Sequence, residues 1–214
     1  MAREVPALRD RAWRAGKRTV DVAAACVLLL ALLPLLVTVA VMVRLESRGP
    51  ALFRQTRVGR GGRRFTVLKF RTMSHGASPE AHRRYIARLA QGADTGPGLK
   101  KLTDDARITR VGRVLRRTSL DELPQLLNVL AGHMSLVGPR PALEYELEHY
   151  GPAHFSRFDV RPGLTGLWQV SGRNRLGFHE MLDLDAEYAA TCGPRLDAVI
   201  LLRTPVALVR GNGG

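Results

Sequence analysis

The apolar and polar positions of this chain form one long uniform run, followed by short segments that alternate or repeat. From Val22 to Val43 nearly every residue is apolar, with basic residues on both sides and Pro34 near the middle. As a straight helix the run would measure roughly 33 Å, enough to cross a bilayer core of about 30 Å. Its flanks are equally charged: Arg3, Arg9, Arg11, Arg14, Lys17 and Arg18 come before it, and Arg44, Arg48, Arg54, Arg57, Arg60 and Arg63 after it. The more basic flank of a spanning helix stays cytoplasmic, so here both ends ask for the same side. Pro34 removes a backbone donor and crowds the preceding turn, which makes a bend inexpensive. The expectation is a re-entrant helix–break–helix that dips into the inner leaflet and returns, with a basic, partly helical stretch from Arg3 to Arg18 lying on anionic lipid ahead of it. A single-pass anchor is the main alternative, because spanning helices tolerate proline. A cleaved signal peptide fits poorly, since no small-x-small site follows Val43. A lipoprotein site fits poorly too, because Cys26 opens the run instead of closing it.

Gly49-Pro50 marks the change from residues 1–48 to a soluble region over residues 49–214. Leu52 to Val58 and Phe65 to Phe70 are rich in β-branched and aromatic residues, and a glycine-rich Gly59-Arg60-Gly61-Gly62 divides them, which predicts a β-hairpin. Pro79 to Leu89 predicts a short helix, and Gly92 to Gly98 a loop. Thr109 to Arg116 predicts another helix, with Arg107, Arg110, Arg113 and Arg116 near one face. Leu123, Leu126, Leu127 and Leu130 form the apolar stripe of a helix from Leu120 to Leu130, with Gly132 placed as its C-cap. Pro141 to His149, Phe178 to Ala189 and Leu196 to Leu208 predict further helices, the last kinked or ended by Pro205; Arg161 to Gly172 reads as irregular. The fold class is therefore α+β: mostly short helices, one β-hairpin and an N-terminal re-entrant membrane helix.

Charge narrows the partners. The formal net charge is +14, carried almost wholly by arginine, since Lys17, Lys69, Lys100 and Lys101 are the only lysines. Arginine suits anionic headgroups and nucleotide phosphates, although a codon bias would also raise its count. Aromatic content is 6% and no base-stacking motif appears, which argues against nucleic acid as a partner. Cys26 and Cys192 imply neither a disulfide framework nor a zinc site, and the histidines lack ligand spacing.

Three segments carry candidate chemistry. Ser119-Leu120-Asp121-Glu122-Leu123-Pro124 follows Arg116 and Arg117; Ser119 with Glu122 fits a capping box, which by itself asks for no catalysis. Val137-Gly138-Pro139-Arg140-Pro141 holds one arginine between two prolines, on a stiff backbone. Lys69 and Arg71 end the second strand two residues apart, so they can share a face and one anion. Neighbouring carboxylates among cations suit phosphoryl transfer. One carboxylate can attack phosphorus, and Mg²⁺ prefers a mixed shell of carboxylate and phosphate oxygens. A helix N-terminus would supply donors to a phosphate and keep the attacking carboxylate ionised.

In chain order, Phe53-x-Gln55-x-Arg57-x-Gly59, Lys69-Phe70-Arg71-Thr72-Met73, Ser119-Leu120-Asp121-Glu122-Leu123-Pro124-Gln125, Gly138-Pro139-Arg140-Pro141 and Arg161-Pro162-Gly163-Leu164-Thr165-Gly166 together resemble the bacterial sugar transferases. These are monotopic polyprenyl-phosphate phosphoglycosyl transferases that start exopolysaccharide, O-antigen and glycan synthesis. The resemblance runs from Lys17 onward. It implies that Asp121 is the nucleophile that captures a sugar-1-phosphate from a UDP-sugar and expels UMP. It implies that Glu122 is the acidic partner and helps hold Mg²⁺. Arg116 and Arg140 would meet the donor's phosphates. Lys69, Arg71 and Arg173 would shape the phosphate and nucleotide site. The resemblance also implies a re-entrant membrane helix with Pro34 at the bend. Leu33 stands where relatives often have serine, and Thr191-Cys192-Gly193-Pro194 replaces a tryptophan-bearing stretch. The chain looks like the short form of the family, without an additional membrane bundle.

The expected activity is transfer of a hexose-1-phosphate to undecaprenyl phosphate through a covalent aspartyl phosphosugar, at the cytoplasmic face of the bacterial inner membrane. Inner-leaflet anionic lipids, and a second copy of the chain as a homodimer, complete the expected partners. The alternative is a membrane-tethered basic module that binds anionic lipid or nucleic acid without chemistry.

Overall fold

A computed structural model describes residues 7–74, 80–91, 107–172 and 176–210. The apolar run lies inside one helix, α1 (Ala7–Glu46), which continues through Pro34. Its apolar window has a mean hydropathy of 3.0 and is only 11% buried, so α1 is no core helix of a soluble domain. Residues on both sides of Pro34 stay helical, so the expected break is not a gap between two helices. One proline costs one backbone bond, and the leucine- and alanine-rich turns on either side carry the ladder across it. The Thr38 hydroxyl donates to the Pro34 carbonyl at 2.8 Å.

Both ends of α1 are clasped by the rest of the chain. In the first arm, Lys17 pairs with Asp197 at 2.5 Å, and the Arg18 guanidinium donates to the carbonyls of Val129 and Leu130. Those carbonyls close α4 (Gln125–Leu130), where a cation satisfies orphan acceptors and complements the helix dipole. Asp21 is buried and accepts from the Leu136 amide at 3.1 Å. In the second arm, Val39 and Val43 pack with Phe70 and Leu115. The Glu46 carboxylate takes the Val111 amide at 2.9 Å, at the start of α3 (Arg110–Thr118). Arg71 donates through Nη2 to the Ser47 carbonyl at 2.7 Å and hydroxyl at 2.9 Å, and to Val43 O at 3.3 Å.

The hairpin forms as expected. Strands β1 (Leu52–Val58) and β2 (Arg64–Phe70) pair antiparallel, with Leu52 opposite Phe70 and Val58 opposite Arg64. A 3-10 turn at Arg60–Gly62 joins them, and Gly61 and Gly62 take the positive φ angles that it needs. The helix over Glu80–Ala90 (α2) also forms, while the loop expected from Gly92 to Gly98 lies outside the described residues.

A second sheet was not foreseen. β3 (Ser135–Val137) pairs parallel with β4 (Gly163–Thr165), inside the stretch read as irregular. The stretch from Pro141 to His149 is a 3-10 helix only over Glu144–His149, and a second 3-10 segment covers Pro152–Asp159. Then come α5 (Leu167–Ser171), α6 (Phe178–Thr191) and α7 (Pro194–Arg210), the last continuing through Pro205. The main core gathers Ala25 of α1 with Val67, Leu126, Val129, Met134, Leu136, Val137, Tyr188 and Ile200. The Tyr188 hydroxyl donates inside it to Asp197 at 2.7 Å and lies 3.1 Å from Val137 O.

The parallel pair brings Gly138 against Gly163. A Cβ on Gly138 would sit 2.3 Å from the Arg161 carbonyl oxygen, and one on Gly163 would sit 2.1 Å from the Gly138 amide nitrogen. Backbone faces backbone there, so no rotamer change makes room. Gly138→Ala should cost about 2–3 kcal/mol through overpacking, read as a lowered denaturation midpoint in detergent. An unchanged midpoint would disprove the close approach.

Candidate active site

The candidate residues are delivered by three loops. The first leaves β2 and reaches α3: Thr109 N donates to Thr72 O at 3.1 Å, and the Thr109 hydroxyl caps α3 by accepting from Gly112 N at 2.9 Å. The Arg116 side chain, one face of α3 away, donates through Nε to the Thr72 hydroxyl at 2.9 Å.

The second loop carries the carboxylates. Ser119 adopts φ 58° and ψ 17°, the one non-glycine residue with positive φ among the described residues. It closes α3 in the left-handed conformation and makes no side-chain cap, so the capping box expected of Ser119 and Glu122 is not formed. The chain must reverse between two short helices here, and a left-handed residue does that within one position. Asp121 and Glu122 then occupy a 3-10 turn (Leu120–Glu122), and α4 starts only after Pro124. The expected helix from Leu120 is thus split, and the phosphate seat expected at its N-terminus is a single tight turn. Asp121 is 6% exposed. Glu122 forms an ion pair with Lys69 at 3.0 Å.

The third loop runs from β3 through Arg140. Arg57 of β1 donates to the Pro141 carbonyl at 2.9 Å and holds Gln55 Oε1 with two other nitrogens. Arg157 donates to the Arg140 carbonyl at 2.6 Å. Glu146 is buried; one oxygen accepts from the Leu143 amide at 2.8 Å and the other from the Arg140 guanidinium at 3.1 Å. Arg157 is itself held by Asp185 at 2.6 Å and by the Tyr150 hydroxyl. Two buried arginines thus pin the loop's backbone, while a buried carboxylate aims its guanidinium.

Electrostatics follows this layout. Burial, aided by repulsion from Arg140, pushes Arg57 down to about 10, still well above neutral pH. Burial pushes the Glu146 carboxyl up, but Arg140, Arg57, the Leu143 amide and Arg157 outweigh it and hold the group below the usual carboxylate range. Burial lifts Asp185 to about 6 despite Arg157 beside it. Arg140 is raised: burial alone would lower it, and Glu146 and then Glu122 more than offset that.

Asp121, Glu122, Lys69, Arg71, Arg116 and Arg140 all line one cavity of about 1200 Å³. Lys69 and Arg71 do not act as a pair within it. Lys69 turns to Glu122, whereas Arg71, just past β2, turns to the end of α1. Arg71 Nε and Nη1 are buried without a hydrogen-bonding partner among the described residues. Arg173 lies outside the described residues. Gln55, Arg57, Glu146, Arg157 and Asp185 were not among the residues expected at the site. Gln55 and Arg57 belong to a motif quoted above, but Glu146, Arg157 and Asp185 lie on separate segments with no pattern to link them.

A carboxylate pair and several guanidinium groups lining one cavity have the chemistry to receive phosphate esters. The family model for bacterial sugar transferases matches residues 12–211, and the chain belongs to that family. It is 41% identical over 199 residues to the exopolysaccharide production protein ExoY of Rhizobium meliloti, covering 92% of this chain and 88% of that protein. It is 44% identical over 204 residues to a UDP-glucose:undecaprenyl-phosphate glucose-1-phosphate transferase of Caulobacter vibrioides, covering 90% of this chain and 69% of the relative. An undecaprenyl-phosphate galactose phosphotransferase of Salmonella typhimurium is 40% identical over 206 residues, which are 96% of this chain and 43% of that one.

Glu146→Gln removes the charge that faces Arg140 and Arg57 and should destabilise the fold by about 2–4 kcal/mol. The native carboxyl titrates below its unfolded value of about 4.3, so its contribution is complete above that pH and is lost as pH falls through the folded value. The stability gap between wild type and variant, measured by denaturant titration, should be flat near neutrality and close below about pH 4. A gap that persists at low pH would refute this role.

Proposed function

We propose that this protein transfers a hexose-1-phosphate from a UDP-sugar to undecaprenyl phosphate, releasing UMP, and so begins assembly of an exopolysaccharide or related glycan. The supporting observation is the shared cavity, in which Asp121 and Glu122 face Arg116, Arg140 and Lys69 beside the end of an apolar helix. In the first step an Asp121 carboxylate oxygen attacks the sugar-bearing phosphorus. The bond from that phosphorus to the bridging oxygen breaks, and UMP departs with the electron pair. In the second step a phosphate oxygen of undecaprenyl phosphate attacks the same phosphorus, and Asp121 leaves as a free carboxylate. One phosphoanhydride replaces another, so little driving force is needed. Two steps also let a water-soluble donor and a lipid acceptor use the same site in turn.

Arg140, held by Glu146, and Arg116, held by Thr72, are placed to meet the donor's phosphates. Lys69 orients Glu122 and tempers its charge. Asp121 and Glu122 supply two adjacent carboxylates, and among the described residues no third acidic ligand groups with them. This donor set fits Mg²⁺, which takes one or two carboxylates and completes its shell with phosphate and water. Bound there, Mg²⁺ would neutralise phosphate charge.

The same reading places the protein on the cytoplasmic face of the inner membrane, with α1 re-entrant and not crossing. The support is that Lys17, Arg18 and Asp21 in one arm, and Val43 and Glu46 in the other, are bound by one small domain. A crossing helix would put those anchors on opposite sides of roughly 30 Å of hydrocarbon.

Purified protein in nanodiscs, given UDP-sugars, Mg²⁺ and undecaprenyl phosphate, should release UMP. UDP release would instead mark an ordinary glycosyltransferase. Asp121→Asn should lose about 10³-fold or more of that activity while staying membrane-bound. Activity near wild type in that variant would remove Asp121 from the chemistry.

A further inference from the structure

The exposed apolar side chains of α1 are not equivalent. Leu33, Val37, Ala40 and Arg44 are spaced four, three and four residues apart, so they form one stripe along the helix. Leu33 is 53% exposed and Val37 55%, while the last two members, Ala40 and Arg44, line the cavity that holds Asp121. Leu35, Met42 and Leu45 are also exposed but do not reach that cavity. The stripe therefore leads from the open apolar face of α1 into the active site, and Ala40 leaves room at the threshold. Across from it, Phe53 of β1 is 46% exposed and lines the same mouth.

The polar end matches. Arg44 ends the stripe with a cation, and Arg54 stands beside Phe53 on the cavity wall. Arg71 lines the same cavity. One of its nitrogens is spent on Ser47 and Val43, but Nε and Nη1 have no acceptor among the described residues. A buried guanidinium with unused donors is a strong seat for an anion. An apolar track that ends in three arginines has the chemistry of a long-chain isoprenoid monophosphate.

Resting on the transfer reading above, we infer that the acceptor lipid reaches Asp121 along α1. Its isoprenoid chain lies over Leu33, Val37 and Ala40 and under Phe53, and its phosphate passes from Arg44 to Arg71. The donor's arginines, Arg116 of α3 and Arg140 of the loop after β3, come from other elements. The lipid tail and the nucleotide thus use different walls of the cavity, while the two phosphates take turns at Asp121.

Two variants and a crosslink test this. Ala40→Trp blocks the threshold and Phe53→Ala removes the opposite wall. Each should raise KM for undecaprenyl phosphate about ten-fold, the cost of roughly two lost methylene contacts, and leave KM for the UDP-sugar unchanged. UMP released before acceptor is added should also be unchanged. With a two-isoprene phosphate, too short to use the track, wild type and variants should differ little. A diazirine-bearing prenyl phosphate in nanodiscs should label the segment from residue 33 to 53, and excess phosphatidylglycerol should not compete. Donor and acceptor KM rising together, labelling of α7, or loss of label to phosphatidylglycerol would each overturn the track. If wild type releases no UMP from any UDP-sugar, the transfer reading fails, and the crosslink alone judges the path.

Discussion

A forty-residue helix with a long apolar run, held in both arms by one small basic domain, is the constraint that organises this molecule. Both holds combine packing with polar contacts. The first arm places Ala25 in the main core and adds Arg18 on the carbonyls of α4, Asp21 on the Leu136 amide, and Lys17 on Asp197. The second arm is held by packing of Val39 and Val43, and by Arg71 and Glu46 gripping its last turn. Between them the helix shows its apolar side chains to the surroundings. The cavity therefore opens beside the second arm of this helix, where Ala40 and Arg44 line it.

The site reuses those holds. Arg71 fastens α1 with one nitrogen and stands in the cavity wall with the rest of its guanidinium. β3 receives Asp21 on its amide and runs, within a few residues, into the loop that presents Arg140. That loop has little freedom: Arg57 and Arg157 hold its carbonyls, Glu146 holds its guanidinium, and Gly138 and Gly163 touch behind it. Buried charge is costly, but here each buried cation meets carbonyls and carboxylates at short range, so the group is rigid in place of being merely expensive.

Much of this was legible from residues. The hairpin declared itself through β-branched and aromatic strands around a glycine-rich turn. The apolar helix declared itself by length, and the candidate residues by phosphate chemistry and by motif order. The sequence could not show β3 and β4, since strands of three residues, buried but for a half-buried Leu164, leave too little alternation to detect. It misled at Ser119: serine three residues before glutamate suggests a cap, yet only the tertiary path demands a left-handed residue there. Pro34 and Pro205 both sit inside continuous helices, where propensity alone argued for a break. The partnership of Glu146, Arg157 and Asp185 depends on how distant segments cross, and local pattern carries none of that.

The contact between Lys17 and Asp197 joins residues 180 positions apart. At roughly 5–20 residues per second of synthesis, Lys17 is made about ten to forty seconds before that partner exists. The clasps on Val129 and Leu136 also arrive late. The helix is therefore made while its future anchors are still untranslated, and the globular part folds onto a segment that is already complete. The oldest stretch of the chain serves as a template for the rest.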